Sequence, residues 1–392
     1  MKKISRRCFL ASSSVLFSGL KPSYAFFNFS GEKKDSSNQD DIRGRIFKND
    51  APEKLWKWSR EGHHYKKKHG NKVVCQICPH KCVLSPGDRS LCRSKINYKG
   101  KLFSLTYGNP CAIHIDPVEK KPLFHFKPSS MVYSLSTTGC NFRCLNCQNW
   151  EISQAKPEKV RHFDLFPSDI VSNAKRSKAK SIAFTYAEAV TFYEYMADIA
   201  KLSKKNGLHN LLISNGYINK RPLSDLCQNL DAANINLKAF SDTIYKKLNG
   251  GRLKPVLDTF KTLHENNIHF EITNLVVPGY VDNTDMVKKM CEWIINNVGI
   301  NYPLHFSRFF PKYKLNRLAP TPVATLTLFR KIAMQEGLRY VYVGNVLNHE
   351  GNHTYCHNCK KLLIERNGYF ITADNLDKGK CKFCKSKIPG IW

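Results

Sequence analysis

Short apolar runs alternate with helical stretches along the chain beyond residue 131. Strands are predicted at 132–136, 181–185, 210–214, 234–237, 269–273 and 304–306. Between the second and third of these runs, Phe192, Met196, Ile199 and Ala200 fall on one helical face, and Gly207 is placed to end that helix. About six strand–helix units predict an α/β fold with a parallel sheet, a partial TIM-type (β/α)6 barrel.

The first residues predict a targeting signal. Residues 1–25 contain Arg6 and Arg7, then a mildly apolar stretch, then the small residues that a signal peptidase reads before Ala25. This pattern is typical of a twin-arginine signal peptide. Its apolar part and all later segments fall short of the roughly 20 apolar residues that span a bilayer. We therefore expect export of the folded protein to the periplasm with cleavage after Ala25, and an uncleaved tail on a cytoplasmic enzyme is the alternative.

Composition divides the rest of the chain into four parts. Residues 26–50 are polar and charged, which predicts a linker that buries little apolar surface. Residues 51–115 are rich in cysteine and show little periodicity, so their fold is expected to depend on a bound metal. The strand–helix pattern occupies 130–345, and 350–392 form a further short cysteine-containing module.

Fifteen cysteines are many for a chain of 392 residues, and eleven of them fall into three tight groups. These groups are Cys75, Cys78, Cys82 and Cys92; Cys140, Cys144 and Cys147; and Cys356, Cys359, Cys381 and Cys384. Repeated gaps of two or three residues favour metal binding over disulfides. The isolated cysteines are given no chemical role, because a lone cysteine is usually a small buried apolar residue.

The central group lies in one loop directly after the first predicted strand, with the spacing C-x-x-x-C-x-x-C. Three thiolates can hold three irons of a 4Fe–4S cubane and leave one iron open for chemistry, whereas a structural cluster takes four cysteines. Active sites of such barrels lie at the carboxyl ends of the strands, where this loop falls. A three-cysteine zinc site and chance clustering are the alternatives.

The two flanking groups predict further metal sites. The last four cysteines form two C-x-x-C pairs with 21 residues between Cys359 and Cys381, the spacing of a zinc ribbon. Residues 350–392 are therefore expected to be a zinc-ribbon-like module that holds a structural zinc, with iron as the alternative metal. The amino-terminal four have a less diagnostic spacing. They predict zinc, a second iron–sulfur cluster, or simply buried or oxidised cysteines.

Three further motifs carry a family resemblance. They are DPVEKKPLFHF at 116–126, CQNWEISQ at 147–154 and PLHFSRF at 303–309. With the central cysteines they resemble the radical S-adenosylmethionine (SAM) superfamily, and within it the radical enzyme of the AmmeMemoRadiSam group, related to activating enzymes of pyruvate formate-lyase. The resemblance implies an oxidoreductase. Its 4Fe–4S cluster would reductively cleave SAM to a 5′-deoxyadenosyl radical that abstracts hydrogen from a substrate.

The resemblance also implies cofactor-binding positions. Glu188 would contact the SAM amino group, although the family's usual Tyr-Asn-Glu-Pro reads Tyr-Ala-Glu-Ala here, and a surface glutamate is the alternative. Ser214, Asn215 and Lys238 would face the cofactor, or would be ordinary polar residues that close barrel strands. Asn146 stands where the family has an aromatic residue, so contact with the adenine is expected to use the backbone there.

Charge adds little to this picture. The chain has 62 Lys+Arg against 31 Asp+Glu, but the basic residues are scattered and the densest cluster, 63–69, is short. A solvated basic face is therefore favoured over a nucleic-acid site. The resemblance implies a flavodoxin- or ferredoxin-like reductant and Memo-like and Ammecr-type partner proteins. Other functions kept open are activation of a glycyl-radical enzyme, an iron–sulfur electron carrier without turnover, and RNA modification.

Overall fold

The computed structural model describes residues 46–392. The predicted signal peptide and residues 26–45 of the predicted linker lie outside the described residues. Residues 46–50, at the end of that linker, contact the amino-terminal segment. Phe47 and Arg89 exchange backbone hydrogen bonds of 2.9 and 2.8 Å. The Asp50 carboxylate pairs with the Arg89 guanidinium at 2.8 Å and with the Lys156 ammonium at 2.6 Å.

Two small antiparallel sheets make up the cysteine-rich amino-terminal segment. Their strands are β1 Arg60–Glu61, β2 Tyr65–Lys68, β3 Lys72–Cys75, β4 Val83–Leu84, β5 Lys95–Tyr98 and β6 Lys101–Ser104. One sheet has the order β2-β3-β4 and the other β1-β6-β5. In the first sheet, Cys75 ends β3 opposite Tyr65, so the exposed lysines of β2 run beside the strand that carries this cysteine.

An eight-stranded sheet forms the centre of the molecule. Its strands are β7 Ala112–Pro117, β8 Met131–Ser136, β9 Ser181–Phe184, β10 His209–Ser214, β11 Ala232–Asn236, β12 His269–Val276, β13 Leu304–Arg308 and β14 Val341–Gly344. Neighbours follow chain order from β7 to β14, and β8 to β14 are parallel, whereas β7 is antiparallel to β8. The predicted α/β fold is confirmed. The sequence analysis predicted six of these strands and missed β7 and β14, the two edges.

Helices connect the parallel strands. They are α1 Trp150–Ser153, α2 Pro167–Arg176, α3 Tyr193–Lys205, α4 Lys220–Cys227, α5 Asp242–Ile244, α6 Leu253–Glu265, α7 Thr284–Asn297 and α8 Val323–Gln335. In α3, Met196, Ile199 and Ala200 are fully buried, as the periodicity predicts. Gly207 follows α3 with φ +72°, a left-handed conformation that suits glycine at a helix end.

The face of the sheet that the helices leave uncovered is filled by the segment 118–126. Successive side chains of a strand point to opposite faces, so Ile182 faces the helices while Ala183 faces this segment. Val118, Leu123 and Phe126 pack here against small strand residues, including Ala183 and Ala232. The segment is also tied to the strands by polar contacts. The Asn234 side-chain amide donates to the Pro122 carbonyl at 2.7 Å, and the His125 N–H donates to the Glu271 carboxylate at 2.7 Å.

The carboxy-terminal module has five short strands. They are β15 Thr354–Tyr355, β16 Leu362–Asn367, β17 Phe370–Asp374, β18 Leu376–Asp377 and β19 Lys380–Cys381. The module is fastened to the segment 118–126. The buried Arg366 guanidinium lies 4.1 Å from the Phe124 ring centroid and donates to the Phe124 carbonyl at 3.1 Å. The Ile391 N–H donates to the His125 carbonyl at 2.8 Å.

Within residues 46–392, none of the helices combines the length and the apolar character needed to cross a bilayer.

Candidate active site at the carboxyl ends of the strands

A cavity of about 340 Å³ opens at the carboxyl ends of the parallel strands. All seven side chains predicted for the central site line it: Cys140, Cys144, Cys147, Glu188, Ser214, Asn215 and Lys238. The cysteines follow β8, Glu188 follows β9, Ser214 ends β10 with Asn215 directly after it, and Lys238 follows β11. Parallel strands end at the same edge of a sheet, so positions far apart in sequence converge there.

The cysteine loop is held from two sides. Gly139 has φ +100°, and a Cβ at this position would overlap with the Cys92 carbonyl and the Ser94 hydroxyl of the amino-terminal segment. On the other side, the Arg143 N–H donates to the Asn249 carbonyl at 2.8 Å. Asn249 ends a π-helical turn, Tyr245–Asn249, an irregularity that often marks functional sites. The backbone around the cysteines is therefore fixed by both neighbours.

Hydrogen-bond donors surround the cysteine sulfurs. The Phe142 N–H donates to Cys140 Sγ at 3.3 Å, and the Asn249 side-chain amide donates to Cys144 Sγ at 3.2 Å. The Ser153 hydroxyl lies 3.1 Å from Cys147 Sγ. Burial raises the pKa of the Cys140 and Cys144 thiols above their ordinary values. A bound metal cation opposes this effect, because it holds coordinated thiols in the deprotonated form.

Glu188 is a buried residue, with 1% of its side chain exposed, so the alternative of a surface glutamate is wrong. Its Oε1 accepts from the Ser214 hydroxyl at 2.6 Å and from the Val190 N–H at 3.1 Å. Its Oε2 accepts from the Asn215 N–H at 2.9 Å. Burial raises the pKa of the Glu188 carboxyl, and these hydrogen bonds and Lys238 oppose the shift. The carboxylate is held rigidly at the cavity wall.

A charged group that no sequence pattern indicates also lines the cavity. Lys121 is almost fully buried, and its ammonium lies 2.9 Å from the Asp116 carboxylate, which also accepts from the Tyr186 hydroxyl at 3.0 Å. Burial would raise the pKa of Asp116, but Lys120 and Lys121 lower it to about 2. Both lysines lie in the 116–126 motif. No sequence signal shows that this segment enters the sheet interior, so its role could not be read from the pattern.

The carboxy-terminal cysteines form a compact cluster. The sulfurs of Cys356, Cys359, Cys381 and Cys384 all lie within 4.8 Å of one another. Hydrogen bonds between Cys384 and Ser386 lower the pKa of the Cys384 thiol to about 5, which favours the thiolate that binds metals. The structure therefore brings together the four cysteines that the sequence predicts as metal ligands, and the cluster can bind a metal.

The amino-terminal cysteines lie together as well. The Cys75 N–H donates to the Cys82 carbonyl at 3.0 Å, which folds the intervening residues into a tight loop. Burial raises the pKa of the Cys78 thiol well above its ordinary value, and the neighbouring Cys82, Cys75 and Cys92 raise it further. The four cysteines therefore belong to one region of the amino-terminal segment.

Comparisons with known proteins agree with this geometry. A sequence model of the Radical SAM superfamily matches residues 134–294, which include the cysteine loop and Glu188. The uncharacterized protein MJ0808 of Methanocaldococcus jannaschii is 46% identical over 331 residues, which cover 84% of this chain and 98% of that protein. The chain belongs to the radical SAM superfamily.

More distant relatives of this radical SAM protein include activating enzymes. Pyruvate formate-lyase 1-activating enzyme of Escherichia coli is 24% identical over 220 residues, covering 52% of this chain and 89% of that enzyme. A solved domain of a pyruvate-formate lyase-activating enzyme from Bacteroides vulgatus is similar with a TM-score of 0.39 and 14% identity, covering 43% of this chain and all of that domain.

Membership of the superfamily implies an iron–sulfur cluster and SAM, and the residues present fit both groups. The three cysteines and their N–H donors suit a cluster with one open iron. Asn146 is 8% exposed and lines the cavity, and its side-chain Oδ1 has no hydrogen-bond partner among the described residues. A buried acceptor without a partner is costly, so a donor supplied by a bound molecule would satisfy it.

Proposed function

We propose that this protein is an enzyme that binds a 4Fe–4S cluster through Cys140, Cys144 and Cys147 and uses it to cleave SAM. The observation that carries the proposal is the single cavity that these cysteines share with Glu188, Ser214, Asn215 and Lys238. When bound, the reduced cluster supplies one electron that breaks the sulfonium bond of SAM, yielding methionine and a 5′-deoxyadenosyl radical that takes hydrogen from the substrate.

The chain's own residues bind and orient SAM. A carboxylate has about four lone-pair sites, and three on Glu188 already accept hydrogen bonds, which leaves room for the SAM ammonium. Lys238 also lines the cavity and would pair with the SAM carboxylate. The Oδ1 of Asn146, which has no partner among the described residues, would accept a hydrogen bond from the adenine amino group. From the sequence, the backbone at Asn146 was expected to contact the adenine. We propose a contact with the Asn146 side chain instead.

Burial of the site protects the radical. Phe142 is fully buried beside the cysteines and packs against Tyr217 with ring centroids 4.9 Å apart. Such apolar walls exclude water and keep a reactive intermediate from side reactions. Lys121, Asn234 and Asn236 also line the cavity, and we propose that the substrate would bind beside them.

The test is cleavage of SAM by the anaerobically reconstituted protein. After reduction with dithionite, the wild type should release 5′-deoxyadenosine from SAM, whereas Cys144→Ala should show neither cluster absorption nor release. Cys111→Ala is the matched control, since Cys111 lies outside the three cysteine groups. Full cleavage by Cys144→Ala would contradict the assignment. An electron carrier or metal-binding protein without turnover, the competing class, would keep the cluster and release nothing.

The activating-enzyme relatives and the 116–126 motif each support a finer class. The similarity to pyruvate formate-lyase 1-activating enzyme supports activation of a glycyl-radical protein as a second candidate function. The motif that resembles the AmmeMemoRadiSam group supplies Lys120, Lys121 and Pro122 to the cavity, so it lies where a substrate would be chosen. We propose membership of this group, with Memo-like and Ammecr-type proteins as partners. Co-purification with such proteins tests it.

The remaining proposals concern the metal of the ribbon and the compartment. Four thiolates around a single position match a structural zinc site, so we propose zinc at Cys356, Cys359, Cys381 and Cys384.

We also propose twin-arginine export with cleavage after Ala25. Cell fractionation of the wild type and of an Arg6→Lys, Arg7→Lys variant tests this. If both stay unprocessed in the cytoplasm, export is excluded.

A further inference from the structure

The amino-terminal cysteines differ from the ribbon cysteines in how far apart their sulfurs lie. Among residues 46–392, the ribbon is the one set of three or more His, Cys, Asp or Glu side chains whose ligand atoms all lie within 4.8 Å of one another. A single tetrahedral ion needs such a compact set. Ligands of an iron–sulfur cluster bind different irons of a larger body, and they stand farther apart. No three ligand atoms of the amino-terminal group, and not the three of the Cys140 loop, meet this 4.8 Å criterion among the described residues.

The amino-terminal group also lies directly against the Cys140 loop. The carbonyl of Cys92 occupies the place where a Gly139 side chain would be, one residue before Cys140. The Ser94 hydroxyl donates to the Thr138 carbonyl at 3.1 Å. The Cys92 carbonyl is thus packed directly against the Gly139 backbone of the cluster-binding loop.

A second contact joins the same two regions. The His80 imidazole, between Cys78 and Cys82 in sequence, lies with Nε2 2.7 Å from the Asn141 carbonyl. The Asn141 side chain in turn accepts from the Asn215 amide at 2.7 Å, beside Cys140 and Glu188. A structural zinc site does not need to contact the loop that holds a redox cluster. A redox-active group does benefit from such contact, because the rate of electron transfer falls steeply with distance.

We propose that Cys75, Cys78, Cys82 and Cys92 bind a second iron–sulfur cluster, which passes electrons to the cluster at Cys140, Cys144 and Cys147. Four cysteine ligands complete such a cluster, so it has no open iron and no SAM chemistry of its own. An external low-potential carrier protein donates one electron to this second cluster. The second cluster then passes that one electron to the catalytic cluster. The relay rests on the proposed function, whereas the second cluster does not.

Metal analysis of reconstituted variants tests the second cluster. The triple variant Cys140→Ala, Cys144→Ala, Cys147→Ala should keep iron and sulfide in equal amounts, about two to four of each per chain. Its paramagnetic resonance signal after reduction should not change when SAM is added. The wild type should hold more iron and show an additional signal that SAM alters. One zinc per chain beyond that of the ribbon, or no metal beyond the ribbon, in the triple variant would overturn the proposal.

The relay is tested with the matching double variant Cys78→Ser, Cys82→Ser. It should lose the SAM-insensitive signal and keep the SAM-sensitive one. Cleavage of SAM driven by flavodoxin should be lost, whereas cleavage driven by dithionite, a small reductant, should persist. Equal flavodoxin-driven cleavage in the variant and the wild type would overturn the relay. If the double variant fails to fold by circular dichroism, Cys92→Ser provides the same comparison. A wild type that never cleaves SAM, beside a triple variant that keeps iron, would reject the proposed function alone.

Discussion

The carboxylate of Glu188 accepts three hydrogen bonds from the protein and has room for one from SAM. Replacing it by Gln removes the charge and turns one acceptor into a donor that faces the Asn215 N–H. A hydrogen bond to a charged group contributes about 1.5–3 kcal/mol, so Glu188→Gln should weaken SAM binding by about tenfold or more. Equilibrium binding of SAM to the reconstituted protein measures this. The exposed Glu53→Gln is the control, and equal affinity in both variants would remove Glu188 from the SAM site.

Gly139 offers a test of how closely the cysteine loop must approach the amino-terminal segment. Gly139→Ala adds a left-handed strain of about 1–2 kcal/mol and also a clash with the Cys92 carbonyl. We expect a clear loss of iron after reconstitution and a lower melting temperature. Gly299→Ala is the matched control, because Gly299 has φ +107° and nothing within 4 Å of the added Cβ. If both variants lose the same stability and neither loses iron, the clash has no influence on the site.

At the scale of single residues, the sequence predicts site residues that lie close together along the chain. It does not predict site residues that distant segments of the chain contribute. The three central cysteines lie within one loop, so their position together at the cavity could be predicted directly. Glu188 and Asn215 could be placed because each lies shortly after the carboxyl end of a predicted strand. Asn249 and Lys121 reach the site only through a π-helical turn and through the segment 118–126. No hydrophobic periodicity around either residue predicts that its side chain lies at the cavity.

At the scale of elements, the central strands were predictable because they are short, apolar and separated by helical periodicity. β9 is buried along its whole length, which is typical of a parallel strand covered on both faces. The edge strand β7 mixes Ile113 and Ile115 with polar residues, and Ile115 is 42% exposed, so its pattern is weak. The core position of 118–126 could not be predicted, because its charged residues resemble those of a surface loop.

The carboxy-terminal module should contribute stability in two separable ways. Cys381→Ser with Cys384→Ser should remove one zinc per chain and lower the melting temperature, with iron unchanged, because the metal fastens the module's own fold. Ending the chain near Asn348 should destabilise the protein further, since it also removes Arg366 and Ile391 from Phe124 and the His125 carbonyl. Metal analysis and thermal unfolding measure both effects. Lys387→Ser, an exposed change in the same module, should alter neither. Loss of iron with the cysteine pair would mean that the ribbon binds a cluster.

At the scale of the whole molecule, the net charge of +31 is spread widely, but one basic strand lies at an informative place. The exposed Lys66, Lys67 and Lys68 of β2 run antiparallel to β3, which ends at Cys75. Flavodoxins and ferredoxins are the reductants that the superfamily resemblance implies, and an acidic carrier protein would be attracted to this edge. Complementary charges raise the rate of such encounters and lose their effect as salt screens them, with a Debye length of about 10 Å at 0.1 M.

The double variant Lys66→Glu, Lys68→Glu tests whether electrons enter beside Cys75. We expect slower SAM cleavage with flavodoxin as the reductant and a weaker dependence of that rate on salt, because the attraction that salt screens has been removed. Cleavage with dithionite should be unchanged. Lys288→Glu with Lys289→Glu, exposed on α7, alters the net charge by the same amount and should leave the flavodoxin rate near that of the wild type. If the two pairs slow the reaction equally, overall charge governs the encounter and β2 is not the entry point.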